Sequence, residues 1–205
     1  MNTIPVSLDG YTDLPPGKIA NVVTFLERTE PPGPPEKPPH GLSLIHVIQP
    51  DLSWYRALYS RIGENWLWFS RAVMPDEELA ELISSPTTVI LALMRAGDAI
   101  GLAELDRTIP GEAEIVTFGV VPEEIGSGAA RFLMEGALTH AFSGDVRRVW
   151  LHTCTFDHPA AVRLYVRQGF RAFKLAIEVS DDPRLTGFLP ENAAPHVPLI
   201  KPSRR

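Results

Sequence analysis

The chain has 205 residues, 44% of them hydrophobic and 21% charged, which is enough for one globular domain with a sizeable core. Its net charge of −6 argues against nucleic acid or an anionic membrane as the main partner and is compatible with a cationic substrate. The single cysteine, Cys154, excludes an intrachain disulfide framework. No run reaches the roughly 18–20 apolar residues that span a bilayer, and no basic start followed by an apolar run marks a secretory signal, so a cytoplasmic location is expected.

Nine of the 20 prolines fall in the first 40 residues, and PPGPPEKPP (Pro31–Pro39) can form neither a helix nor a central strand. Residues 1–40 therefore read as a proline-rich extension, with 1–18 expected to be poorly ordered. The proline run suits a stiff surface linker, or else a ligand for a proline-binding module. Within the extension NVVTFLER (Asn21–Arg28) reads as a strand tied to the main domain.

The main domain is expected over residues 41–180. LSLIHVIQP reads as a strand ended by Pro50. DLSWYRALYSRI is helical, with Trp54, Leu58 and Ile62 one turn apart. NWLWFSRAV is ambiguous. PDEELAELISS opens with Pro75 and three acidic residues, as a helix start does. TTVILALMRAGDAIGLAELDR reads as two strands joined at Ala96-Gly97-Asp98, and GEAEIVTFGVV as a third. SGAARFLMEGALTHAF is a helix apolar or small on all but one stripe, so it packs against a sheet. RRVWLHTCT is a strand, HPAAVRLYVRQGF a helix between Pro159 and Gly169, and RAFKLAIEV a strand. Residues 181–205 form a tail in which HVPLI suits a final edge strand. This order predicts an α/β (α+β) domain, a mixed sheet with flanking helices.

The glycine turn in VVPEEIGSGAARFLME joins a strand to a helix, the place where backbone N–H groups hold a phosphate. A P-loop needs Lys and Ser or Thr after the last glycine, and Ala129 and Ala130 stand there instead. A dinucleotide fingerprint needs a third glycine where Arg131 lies. No His, Cys, Asp and Glu group has metal-ligand spacing, so no metal is expected.

The turn followed by HPAAVRLYVRQGF resembles the Gcn5-related N-acetyltransferase family. Pro122-Glu123 match that family's P-E. Gly128 and Ala130 match the small residues of its R/Q-x-x-G-x-G/A turn, with Ile125 in place of Arg or Gln. His158, Ala161, Leu164, Tyr165, Gly169 and Phe170 fall on its second signature at the same spacing, with His158 in place of Asn. The resemblance covers about Leu42 to Val179 and implies the acyl-CoA N-acyltransferase fold, with a mostly antiparallel sheet.

It further implies acetyl-CoA as co-substrate and transfer of acetyl to a small-molecule or peptide amine. Coenzyme A would lie along Phe118, Gly119, Val120 and Val121, the turn Ile125, Gly126, Ser127, Gly128, Ala129 and Ala130, and His158, Ala161 and Tyr165. In that reading Tyr165 donates to the departing thiolate, and a backbone N–H near Val120 holds the oxyanion. Glu114 and Glu104 are the two candidate bases. His152, sharing strand parity with Trp150 and Cys154, suits either a semi-buried structural role or a base. His158, beside Asp157, suits a cap; Cys154 suits core packing, with an acyl-cysteine route open. Trp66, Trp68 and Phe69 fall in the usual acceptor wall. The resemblance leaves a homodimer open. Two other readings remain: a catalytically weak acyl-CoA-binding sensor, and a toxin of the same fold acting on aminoacyl-tRNA, which the acidic balance disfavours.

Overall fold

The computed structural model describes residues 5–34 and 39–202. Part of the proline run and part of the segment 1–18 lie outside those residues.

Seven strands form one sheet: β1 (Lys18–Arg28), β2 (Leu42–His46), β3 (Thr88–Arg95), β4 (Asp98–Asp106), β5 (Glu112–Val120), β6 (Arg148–Cys154) and β7 (Arg171–Asp181). Their spatial order is β2-β3-β4-β5-β6-β1-β7, and every pairing is antiparallel except β5 with β6. The helices are α1 (Leu52–Gly63), α2 (Ser70–Val73), α3 (Asp76–Ser84), α4 (Ala129–Ala141) and α5 (Ala161–Arg167). This is the α/β architecture expected. The ambiguous NWLWFSRAV breaks into a 3-10 turn (Glu64–Trp66), a left-handed Leu67 (φ 58°) and the single-turn α2.

Local chemistry fixes the helix starts. Asp51 caps α1, its carboxylate accepting the Trp54 N–H at 2.9 Å, which contributes about 1 kcal/mol. Helix α1 buries Tyr55, Leu58, Tyr59 and Ile62 on one face of the sheet. On the other face α4 buries Leu133, Met134, Ala137, Leu138 and Ala141, so small residues let it lie close to β4 and β5. One close approach is mandatory: a Cβ on Gly119 would lie 2.5 Å from Ile62 Cγ2, so only glycine lets α1 seat against β5.

The N-terminal strand does more than attach to the domain. β1 lies between β6 and β7, with Val23 opposite Cys154 on one side and Ala176 on the other. Both its edges are hydrogen-bonded, as its β-branched run Val22-Val23-Thr24 favours.

The tail departs from expectation. HVPLI, residues 196–200, forms no strand. Pro195 and Pro198 lack the N–H groups a ladder needs, and the neighbouring carbonyls are used elsewhere. Arg184, 4% exposed, is the hub. Its guanidinium reaches Asp182 through Nε (3.0 Å) and Nη2 (2.7 Å), and Nη1 donates to the carbonyl oxygens of Val197 (2.8 Å) and Ala193 (3.3 Å). The turn so held packs Leu189, Ala193, Ala194 and Val197 against Leu67, with Ile19, Phe69 and Phe156 around them.

Replacing Arg184 by Ala strands a buried Asp182 carboxylate, a change worth about 3 kcal/mol. The expected outcome is a lower urea unfolding midpoint, with amide-exchange protection lost first between 183 and 198. Unchanged protection there would mean the tail is held by its apolar contacts alone.

Candidate active site

Strands β5 and β6 pair only from Glu112↔Arg148 to Ile115↔Leu151. Beyond Ile115 they part, and a cleft of about 760 Å³ passes through the gap. The backbone of β5 there is bonded on one edge only. Val121 N–H donates to Ile100 O at 2.9 Å, so 100↔121 is a hydrogen-bonded pair, and pairs alternate along an antiparallel ladder. The N–H groups of Phe118 and Val120 therefore face the gap, at the position expected for an oxyanion donor.

At one end of the cleft lies the glycine turn. Gly126 (φ 85°) and Gly128 (φ 89°) are both left-handed, a conformation that favours glycine. The turn is braced from outside: Ser127 Oγ donates to Glu124, and Arg95 clamps both Glu124 oxygens at 2.7 and 3.0 Å. Among the described residues, the N–H groups of Gly126, Gly128 and Ala130 have no acceptor, as the start of a helix requires. Ile125 lines the cleft where the family pattern has Arg or Gln, but Arg131, Arg163 and Arg167 line it too. The last two are one turn apart on α5, so the cleft lining carries cationic side chains as well as unpaired amides.

Tyr165 lines the gap, 7% exposed, with Phe118 and Phe170 rings 6.1 and 6.2 Å away. Burial, reinforced by the Asp157 charge, pushes its hydroxyl well above the ordinary phenol range, so it stays a donor at every physiological pH. Gly119, Gly128, Ala130, His158 and Ala161 also line the cleft. His158 Nδ1 accepts the Ala160 N–H at 3.0 Å, and so shapes the turn into α5.

Three residues of the expected coenzyme track do not line the cleft. Val121 is buried with its N–H on Ile100, Ser127 is turned onto Glu124, and Ala129 is buried with its N–H on Ser127 Oγ at 3.2 Å.

The two candidate bases are not equivalent, and neither lines the cleft. Glu104 is 2% exposed and fully engaged: Arg71 reaches its two oxygens at 2.6 and 3.3 Å, and the Tyr55 hydroxyl donates to it. With both oxygens occupied it has none to offer the cleft; it holds Arg71, which does line the cleft. Glu114 stands behind His152. The Glu114 Oε1 to His152 Nδ1 distance is 3.4 Å, and the His152 ring faces the cleft. The bond to Glu114 raises the imidazole above its ordinary value although burial opposes it, with Glu178 and Asp157 adding in the same sense.

Asp157 is a fastener. Its Oδ1 accepts from the Trp68 indole at 3.0 Å, and its Oδ2 from Thr153 (2.7 Å) and the Cys154 amide (2.9 Å), tying the segment after α1 to the end of β6. Cys154 lines the cleft, but burial and Asp157 push its thiol up to about 11.

Sequence reasoning passed over Tyr55, Arg71, Asn21 and Glu178. Only the last three line the cleft, and their elements meet only through the fold. Among the described residues no group of three His, Cys, Asp or Glu side chains is placed to hold a metal ion, and no helix is long and apolar enough to cross a membrane.

Residues 54–170, more than half the chain, match the acetyltransferase (GNAT) family. The chain belongs to that family. Solved structures of GNAT proteins share the fold. A GCN5-related N-acetyltransferase from Sphaerobacter thermophilus is 19% identical with a TM-score of 0.58, over 79% of this chain and 52% of that one. One from Kribbella flavida is 18% identical with a TM-score of 0.54, over 83% and 63%. The ribosomal-protein-S18-alanine N-acetyltransferase of Escherichia coli is 17% identical with a TM-score of 0.53, over 69% and 94%. The chain thus spans about half the length of the first of these. No curated protein matches it in sequence.

A thiol near 11 is thiolate in only about one molecule in ten thousand at neutral pH. Cys154→Ser should therefore leave GNAT turnover within about threefold. A loss beyond a hundredfold, or a trapped acyl-cysteine seen by mass spectrometry, would restore the covalent route.

Proposed function

We propose that the protein transfers an acetyl group from acetyl-CoA to a primary amine by direct attack in a ternary complex. The observation that carries this reading is the gap after Ile115, where inward-facing β5 amides, the unpaired amides of the glycine turn and the Tyr165 hydroxyl line one cleft. The turn and the α4 start bind the pyrophosphate, with Arg163 and Arg167 beside it. The gap takes the pantetheine.

His152, oriented by Glu114, takes the proton that the amine loses as its nitrogen bonds to the thioester carbonyl carbon. This places the base on neither carboxylate expected from sequence, and keeps Glu114 as the group that orients it. The Val120 N–H holds the oxyanion. The carbon–sulfur bond then breaks. Tyr165 stabilises the thiolate by a hydrogen bond rather than by giving up its proton, because an ordinary thiol near 8.5 is more acidic than a phenol raised above 10. The proton on His152 returns to the coenzyme thiolate through solvent, which balances the reaction.

Calorimetric titration with acetyl-CoA tests the coenzyme site. Micromolar, stoichiometric binding is expected, weakened at least tenfold by Gly128→Val, whose branched side chain resists φ 89°. No binding at millimolar ligand would favour a structural module that has lost the site with Ile125.

The base is tested by the pH profile. As a base, His152 must be neutral, so kcat/KM should rise with pH through a value above the ordinary 6.5. Glu114→Gln removes the charge that raises it, so the acid limb should move to lower pH. An unmoved limb would assign the ionisation to another group.

A further inference from the structure

The cleft continues past the gap to a second end that the transfer chemistry above does not use. Ile19, Asn21, Glu178 and Ser180 form its floor on β1 and β7, and Trp66, Phe69 and Phe156 its walls. This floor exists because β1 is inserted beside β7: Asn21 and Glu178 are direct cross-strand partners.

The chemistry there is one-sided. Asn21 is 6% exposed, and its Nδ2 donates to Glu178 Oε2 at 3.0 Å. Its Oδ1 is buried with no hydrogen-bond partner among the described residues. Glu178 makes no ion pair among them. Asn21 Oδ1 thus lacks a donor, and the exposed Glu178 carboxylate has an amide beside it but no cation among the described residues. The cation on this wall, Arg71, is already neutralised by buried Glu104. The Glu178 charge is felt at both His152 and Cys154, so this carboxylate and the reacting end share one field. A carboxylate and an unpaired amide oxygen on a cleft whose lining also holds Trp66, Phe69 and Phe156 suit an organic cation rather than an anion or a neutral group.

We propose that Glu178 and Asn21 form a subsite for a second ammonium group of the acceptor, so that the preferred substrate is a linear diamine or polyamine-type dication. The inference rests on the acetyltransferase reading above. His152 and Glu178 lie two inter-strand spacings apart across β1, and the β1 residues they pair with, Phe25 and Asn21, are four positions apart, so about 16 Å separates their backbones, a span that their two side chains narrow to the length of an alkyl diamine. One amine sheds its proton to His152 while the other stays charged on Glu178. The acidic net charge of the chain agrees with this.

The test is steady-state turnover at saturating acetyl-CoA with 1-aminobutane, 1,4-diaminobutane and 4-aminobutanoate, which differ only in the far group. The diamine should exceed the monoamine at least tenfold in kcat/KM, with 4-aminobutanoate the poorest. Glu178→Gln should bring the diamine-to-monoamine ratio toward one, chiefly through KM, while Asp181→Asn, an exposed carboxylate change on the same strand, leaves the ratio intact. Equal use of monoamine and diamine would overturn the subsite. Preference for 4-aminobutanoate would move recognition to Arg71 and overturn it equally. Should no amine turn over, direct calorimetry with 1,4-diaminobutane still decides: binding that weakens at least tenfold in Glu178→Gln supports the subsite and leaves the catalytic reading at fault. Absent or unaltered binding sinks the subsite itself, whatever acetyl-CoA does.

Discussion

A backbone N–H must find an acceptor, and the whole molecule is organised around a place where several do not. For four residues the parallel ladder between β5 and β6 satisfies this demand; after Ile115 it stops. An unpaired strand edge inside a sheet is costly, and it persists only because the surrounding structure holds the two strands apart. Gly119 seats α1 under β5, Trp68 reaches Asp157 at the end of β6, and Tyr165 on α5 packs against Phe118. The same shortage recurs at the start of α4, where the glycine turn leaves further amides unpaired. A ligand offering acceptors to both places answers the two deficits together.

The cleft lining carries both signs of charge: Arg131, Arg163 and Arg167 from α4 and α5, Arg71 from α2, and the carboxylates Asp157 and Glu178. Two carboxylates serve as anchors. Glu104 holds Arg71, and Asp157 holds Trp68 and the end of β6. Buried charges of this kind need partners, so their fixed geometry is what positions the exposed groups beside them. His152 faces the cleft with a charged neighbour to orient it.

Much of this was legible in advance, and the remainder was hidden for identifiable reasons. Periodicity and glycine placement gave the helices and strands of 42–179, because each is decided by near neighbours in sequence. The turn at Gly126–Gly128 was readable for the same reason. The fate of Glu104 was not: whether a strand carboxylate is catalytic or clamped depends on Arg71, which arrives from a segment with no regular period. The pairing of Glu114 with His152 depends on a parallel register between strands separated by α4. Arg184 collecting carbonyls from 193 to 198 leaves no trace in a hydropathy pattern. The position of β1 is also beyond local reading, since its apolar alternation would suit any interior or edge slot.

That position governs how the chain can fold. The first strand synthesised has no partner until residues near 150 and 175 have followed it, because Val23 pairs with Cys154 and Ala176. Such pairings have the long loop closures that slow folding and raise contact order. Strands β2 to β5 pair in chain order, whereas β1 must wait for β6 and then for β7. The pairings that complete the sheet are therefore also the ones that bring Asn21 beside Glu178 on the cleft, so part of its lining depends on the longest loop closures in the chain.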